Sequence, residues 1–105
     1  MAGAATAIGI LAVTATLAVG CAAAGAAAIR SAQVSAAADG AALAAADAAM
    51  GAVPGAPCEQ ATRVAALGGV ELVACDIDGV VATVETAAPV GVFRVHARAR
   101  AGPPP

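Results

Sequence analysis

The first 29 residues, MAGAATAIGILAVTATLAVGCAAAGAAAI, carry no charged side chain, and Arg30 is the first charged residue in the chain. Every other charged group lies beyond it. This split implies two solvents, lipid for the first part and water for the second. A helix needs about 20 apolar residues at roughly 1.5 Å each to cross a bilayer, and the segment is longer than that. Ile8, Ile10, Leu11, Val13, Leu17 and Val19 sit centrally. At roughly −0.3 to −0.6 kcal/mol each, they favour insertion by about −2 to −4 kcal/mol. Gly9, Thr14, Thr16 and Gly20 reduce that figure. The competing reading is a buried Ala-rich helix of a soluble protein, for which so short a chain offers no obvious second layer.

The 105 residues accommodate one small domain and an appendage. Alanine supplies 36 of them; Lys, Asn, Trp and Tyr are absent, and Phe93 is the sole aromatic residue. A net charge of −2 provides no global basic field to recruit nucleic acid, and no aromatic platform for bases is present.

Residues 30–50, RSAQVSAAADGAALAAADAAM, have high helix propensity except at Gly40. Ile29, Ala36, Leu43 and Met50 recur every seven residues, and Ile8, Ala15 and Ala22 extend the phase backwards. A seam of small and apolar residues lets another helix approach closely. The expected element is one helix over about 5–50: a transmembrane part at 1–29, continued by a stalk at 30–50. A plain alanine stalk without a partner is the alternative. Gly51, Pro54, Gly55 and Pro57 then end the helix, making 51–57 a linker.

Residues 58–105 read as a small α+β head with a disordered Pro-rich end. PCEQATRVAALGG is a short helix: Pro57 suits the first turn, Glu59 complements the positive helix end, and Gly68-Gly69 stop it. Strands are expected at 70–77 and 80–86, with Asp78-Gly79 as a tight turn. The helix advances about 14 Å from Cys58. The following strand returns about 16 Å to Cys75. Antiparallel elements would bring both sulfurs to one end, so a Cys58–Cys75 disulfide is geometrically reasonable; two free buried thiols are the alternative. Closing this loop contributes about 3 kcal/mol, and so small a core needs such support. A disulfide also implies an oxidising compartment, whereas Arg30, taken alone, argues for a cytoplasmic C-terminal side. Two cysteines and one distant histidine fall short of a metal site, and no cofactor is expected.

The last strand alternates. In VFRVHARARA, Arg94, His96, Arg98 and Arg100 point one way; Phe93, Val95, Ala97, Ala99 and Ala101 point the other and can cover a helix. The cationic face is a candidate partner surface for acidic lipid or protein. The simpler reading pairs it with Glu71, Asp76, Asp78 and Glu85 across the sheet.

Asp76-Ile77-Asp78-Gly79 comes after an apolar run, as in the nucleophile loop of haloacid-dehalogenase-type phosphatases. That chemistry needs a lysine and further carboxylates downstream, within a parallel sheet. The chain has no lysine, and only Glu85 lies beyond the loop among acids. A hairpin bend is the better reading, and no enzyme activity or small-molecule substrate is expected.

RSAQVSAAADGAALAAADAA, PCEQATRVAALGGVELVACDIDGVVATVE and ARARAG together resemble the TadE-like proteins of actinobacterial helicase/secretion gene neighbourhoods, which are similar to minor pilins of tight-adherence systems. The resemblance covers nearly the whole chain. It implies an α+β protein in which a long N-terminal helix precedes a small helix and a three-stranded antiparallel sheet. It further implies a single-pass anchor in the cytoplasmic membrane, an extracytoplasmic head, partnership with membrane lipid and other pilin-like or secretion subunits, and secretion after processing as a variant. MAGAAT resembles a family stretch that usually comes after a Glu-Arg pair, so the resemblance implies a basic leader upstream. The second functional reading starts from AVGC at 18–21, which resembles a lipobox. It makes the chain a secreted or Cys21-lipidated surface protein that binds through Arg94, His96, Arg98 and Arg100.

Overall fold

Alanine supports a helix without losing side-chain entropy, and the chain uses it to build one continuous rod. The structure, a computed structural model, describes residues 1–104. Helix α1 runs Ala2–Ala49 and sets the 75 Å long axis of the molecule. It is succeeded by α2 (Pro57–Leu67) and by strands β1 (Glu71–Asp78), β2 (Val81–Val90) and β3 (Phe93–Ala101). The strands form one antiparallel sheet in the order β1-β2-β3. The architecture is the α+β arrangement read from the sequence.

The head has two layers. One face of the sheet packs under α1 and α2, with α1 over β2 and β3 and α2 over β1. In β2 and β3 the inward side chains are those that strand alternation selects: Ala82, Val84, Thr86 and Ala88, then Val95, Ala97, Ala99 and Ala101; in β1 a register shift between Leu72 and Ala74 brings Leu72 to the same side as Cys75 and Ile77. Val34, Ala38, Ala41, Ala42, Ala45 and Ala46 meet them from α1. The stretch expected as a stalk is therefore a structural layer of the head. Residues 2–29 extend beyond it with every side chain exposed.

The α1 surface that enters the core is almost entirely alanine, so the sheet and α2 approach its backbone closely. Ala61 and Ala65 supply the matching face of α2. Gly68, just past α2, is tighter still: a Cβ there would stand 2.9 Å from the Cβ of Ala37. Thr86 is the buried polar side chain of this core. Its hydroxyl donates to the carbonyl of Val34 at 3.3 Å, tying β2 to α1.

Local boundaries shift from expectation in two places. Strand β2 continues to Val90, four residues past the expected end, because β3 pairs with it down to Val90–Phe93. The first hairpin turn is Gly79-Val80, closed by the Asp78–Val81 pair, one residue later than expected. Gly79 takes φ 63°, the left-handed conformation a primed turn needs at its first central position. Residues 102–104 carry no helix or strand. The last residue of the Pro-rich end, whose disorder the sequence suggests, lies outside the described residues.

Cys58 and Cys75 form a disulfide, with Cα atoms 5.9 Å apart and a separation of 17 in sequence. It joins the first turn of α2 to β1. The core beneath it contains no aromatic ring, and its largest fully buried side chains are Val34, Val84 and Thr86. Reducing the bridge, or replacing both cysteines by serine, will lower head stability by about 2–4 kcal/mol. Denaturant unfolding in detergent with and without reductant measures this. Gly68→Ala will cost about 1–3 kcal/mol by overpacking against Ala37, read from the same transition.

Candidate functional site

Three surfaces bear the residues singled out by sequence: the outer side of α1, the outer face of the sheet, and the disulfide end of α2. They lie apart, and no single pocket among the described residues gathers them.

On α1 the division is sharp. The side carrying Val34, Ala38, Ala41, Ala42, Ala45 and Ala46 is covered by the head. Ile29, Ala36, Leu43 and Met50 lie on the other side. A seven-residue step drifts by only about 20° on a straight helix, so these four stay in one stripe. All are exposed: Ile29 by 63 %, Leu43 by 59 % and Met50 by 47 %, with Ala36 in the same class. The stripe runs without interruption into the uncharged half, where Ile8, Ala15 and Ala22 continue the phase. Cys21 is a free thiol within that half and is exposed. Helix α1 is long and apolar enough to cross a membrane, and none of its most apolar window is covered by the head.

The outer face of the sheet carries Arg94, His96, Arg98 and Arg100, as alternation requires, and three of the four have acidic neighbours. The Arg94 guanidinium donates to Glu71 at 2.7 Å. Glu85 on the central strand stands between two partners: His96 Nδ1 at 3.1 Å and Arg98 at 3.5 Å. Register produces these pairs. Glu85 lies directly opposite Arg98, while Glu71 and Arg94 flank β2 near Ala87 and Pro89. Arg100 lies instead with Asp39, Leu43, Ala101 and Gly102 around a shallow cleft between β3 and α1. The basic row is thus partly neutralised within the sheet, which weakens it as a free cationic surface.

Asp76 and Asp78 sit on this outer face at the far end of β1, opposite Thr83 and Val81. The Asp-x-Asp-Gly sequence forms a strand end and a hairpin turn within an antiparallel sheet. A phosphatase nucleophile loop instead leaves the end of a strand in a parallel sheet.

Two features escaped sequence reading. Thr86 is buried although threonine is equally at home on a wet face; its spacing from Val84 and Ala88 turns it inward, and the carbonyl of Val34 satisfies its hydroxyl there. Phe93 lies on the expected apolar side of β3 yet is 76 % exposed. It projects past the core toward a part of α1 that offers Ala23, Ala26, Ala27 and Arg30. The sequence signal was the turn glycine just before it: Gly91, with φ 61°, places Val92-Phe93 at a hairpin tip.

Of the ion pairs, that of Glu85 is the least exposed, with 28 % of its side chain accessible. Glu85→Gln will weaken the contacts to His96 and Arg98 and lower stability by up to about 1 kcal/mol at low ionic strength. The deficit will shrink in molar salt, as unfolding curves at both salt concentrations will report. Comparison with protein-family models, with curated proteins and with solved structures finds no match to this chain.

Proposed function

We propose that this chain is a non-catalytic, pilin-like subunit of a tight-adherence-type pilus or secretion assembly. Residues 2–29 of α1 cross the cytoplasmic membrane, and the head stands on the extracytoplasmic side. One observation carries the reading: α1 is divided between two tasks. Its second half gives one side to the head and leaves the stripe Ile29, Ala36, Leu43 and Met50 uncovered, continuous with a first half uncovered all round. A subunit that displays a head and packs against other subunits through one rod needs this arrangement. Apolar Ile29, Leu43 and Met50 with small Ala36 between them, continued by Ala22 and Ala15, suit helix–helix packing in lipid, where packing is the main attraction.

The Cys58–Cys75 bridge supports the sidedness, because structural disulfides persist in oxidising compartments. Arg30 alone weighs in the other direction, and a single flanking arginine is the smaller effect against a covalent staple in so thin a core. The hairpin setting of Asp76 and Asp78 supports a non-catalytic role.

Cysteine crosslinking in native membranes tests the assembly. In a Cys21→Ser background, Leu43→Cys will form a disulfide-linked dimer on mild oxidation, while Arg98→Cys on the outer sheet face will not. Absence of the Leu43 crosslink in assembled material overturns the packing seam. Mass spectrometry of the N-terminal peptide separates the other reading: an acyl chain on Cys21 selects a lipid-anchored surface protein instead.

A further inference from the structure

The head's three most exposed large apolar side chains lie at one end. They are Val92 at 94 %, Leu67 at 84 % and Phe93 at 76 % exposure. Topology puts them together. Helix α2 runs back along α1, with Val64 beside Gly40 and Gly68 beside Ala37, so Leu67 ends nearest the uncharged half of the rod. Strand β2 returns in the same direction, and its hairpin with β3 is the tip of the head on that side.

That tip overhangs the apolar rod. Pro89, Val90, Gly91 and Phe93 line a groove together with Ala23, Ala26, Ala27 and Arg30. Ala23 is seven residues before Arg30, so the groove reaches as much as about 10 Å past the first charge of the chain. Behind the tip stands a collar of charge. Arg30 donates to the carbonyl of Gly69 at 3.0 Å, and Arg94 pairs with Glu71 at 2.7 Å. The order along the long axis is therefore apolar rod and apolar tip, then charged collar, then the head.

We propose that the β2–β3 hairpin tip, with Leu67 beside it, is a second membrane contact, seated at the boundary of headgroups and acyl chains in the leaflet next to Arg30. The inference rests on the membrane-spanning reading of α1. Lipid is the occupant because the tip is continuous with the apolar half of α1, reaches the depth of about 5–10 Å at which interfacial apolar groups lie, and ends where charge begins. Arg30 and Arg94 then lie at headgroup level, where long cationic side chains hold their charge in water while their stems stay in apolar surroundings. The contact gives the head one fixed orientation on the bilayer, so the outward stripe of α1 faces neighbouring subunits at a set angle.

The chain contains no tryptophan, so single substitutions report without background. The full chain is reconstituted in vesicles of phosphatidylcholine and phosphatidylglycerol, three to one, carrying bromine either just below the headgroup or deep in the acyl chain. Phe93→Trp will emit to the blue of Val80→Trp, which marks the opposite hairpin, and will lose most of its emission to the shallow bromines. Leu17→Trp, about 20 Å along the helix from Arg30 and so near the bilayer centre, will be quenched by the deep bromines, and Val80→Trp only by aqueous iodide. If Leu17→Trp escapes lipid quenching, the spanning reading of α1 fails. If Leu17→Trp is quenched while Phe93→Trp behaves like Val80→Trp, the tip contact alone is overturned. Blue-shifted Phe93→Trp emission untouched by brominated lipid identifies a protein neighbour at the tip and also overturns it.

Discussion

The alanine face of α1 between Val34 and Ala46 is the constraint on which the head depends. The sheet has three strands and two faces, and only one face is apolar. Without α1 against it, Val84, Ala88 and Ala99 would lie in water, and α2 would have nothing but β1 beneath it. Alanine is a weak hydrophobe, so the stabilisation comes from closeness. Short side chains let backbones approach, as the tight meeting of Gly68 with Ala37 illustrates. Thr86 adds direction to this contact by bonding the carbonyl of Val34, and the Cys58–Cys75 bridge closes the side that α1 does not cover.

Because the layer that completes the head is also the continuation of the apolar rod, the two parts of the molecule are mechanically one. A flexible linker would let the head tumble independently. A continuous helix transmits its orientation, and no proline interrupts α1 anywhere along its length. The small-residue composition permits tight packing toward the head, while Ile29, Leu43 and Met50 on the outward side stay uncovered.

The sheet's charge pattern illustrates how register decides meaning. Alternating arginines imply a basic surface when read along one strand. Across three strands, Glu85 falls between His96 and Arg98, and Glu71 reaches Arg94, so much of that charge is answered internally. The same logic gives Asp76-x-Asp78-Gly79 its setting, a strand end and a hairpin turn, because β2 pairs back onto β1 across Gly79-Val80.

Sequence alone determined the rod, the short helix and the three strands, because each has a local signal: absence of charge, helix propensity, alternation, and glycine or proline at ends; it set the first hairpin turn one residue early and the end of β2 four residues short. It also determined that Cys58 and Cys75 lie within reach, since the lengths of the intervening elements are set by helix and strand geometry. Which side of α1 the head occupies was only weakly marked: Gln33, Asp39 and Asp47 fall on the uncovered side, but alanine supplies most of the other faces, and the heptad recurrence of Ile29, Leu43 and Met50 draws attention to that same uncovered side. Nor did alternation reveal that Phe93 escapes the core, since it assigns a face of the sheet and says nothing of how far the opposing layer extends. Those facts belong to tertiary structure, where the fit of small side chains against a particular sheet chooses one face among several of nearly equal hydrophobicity.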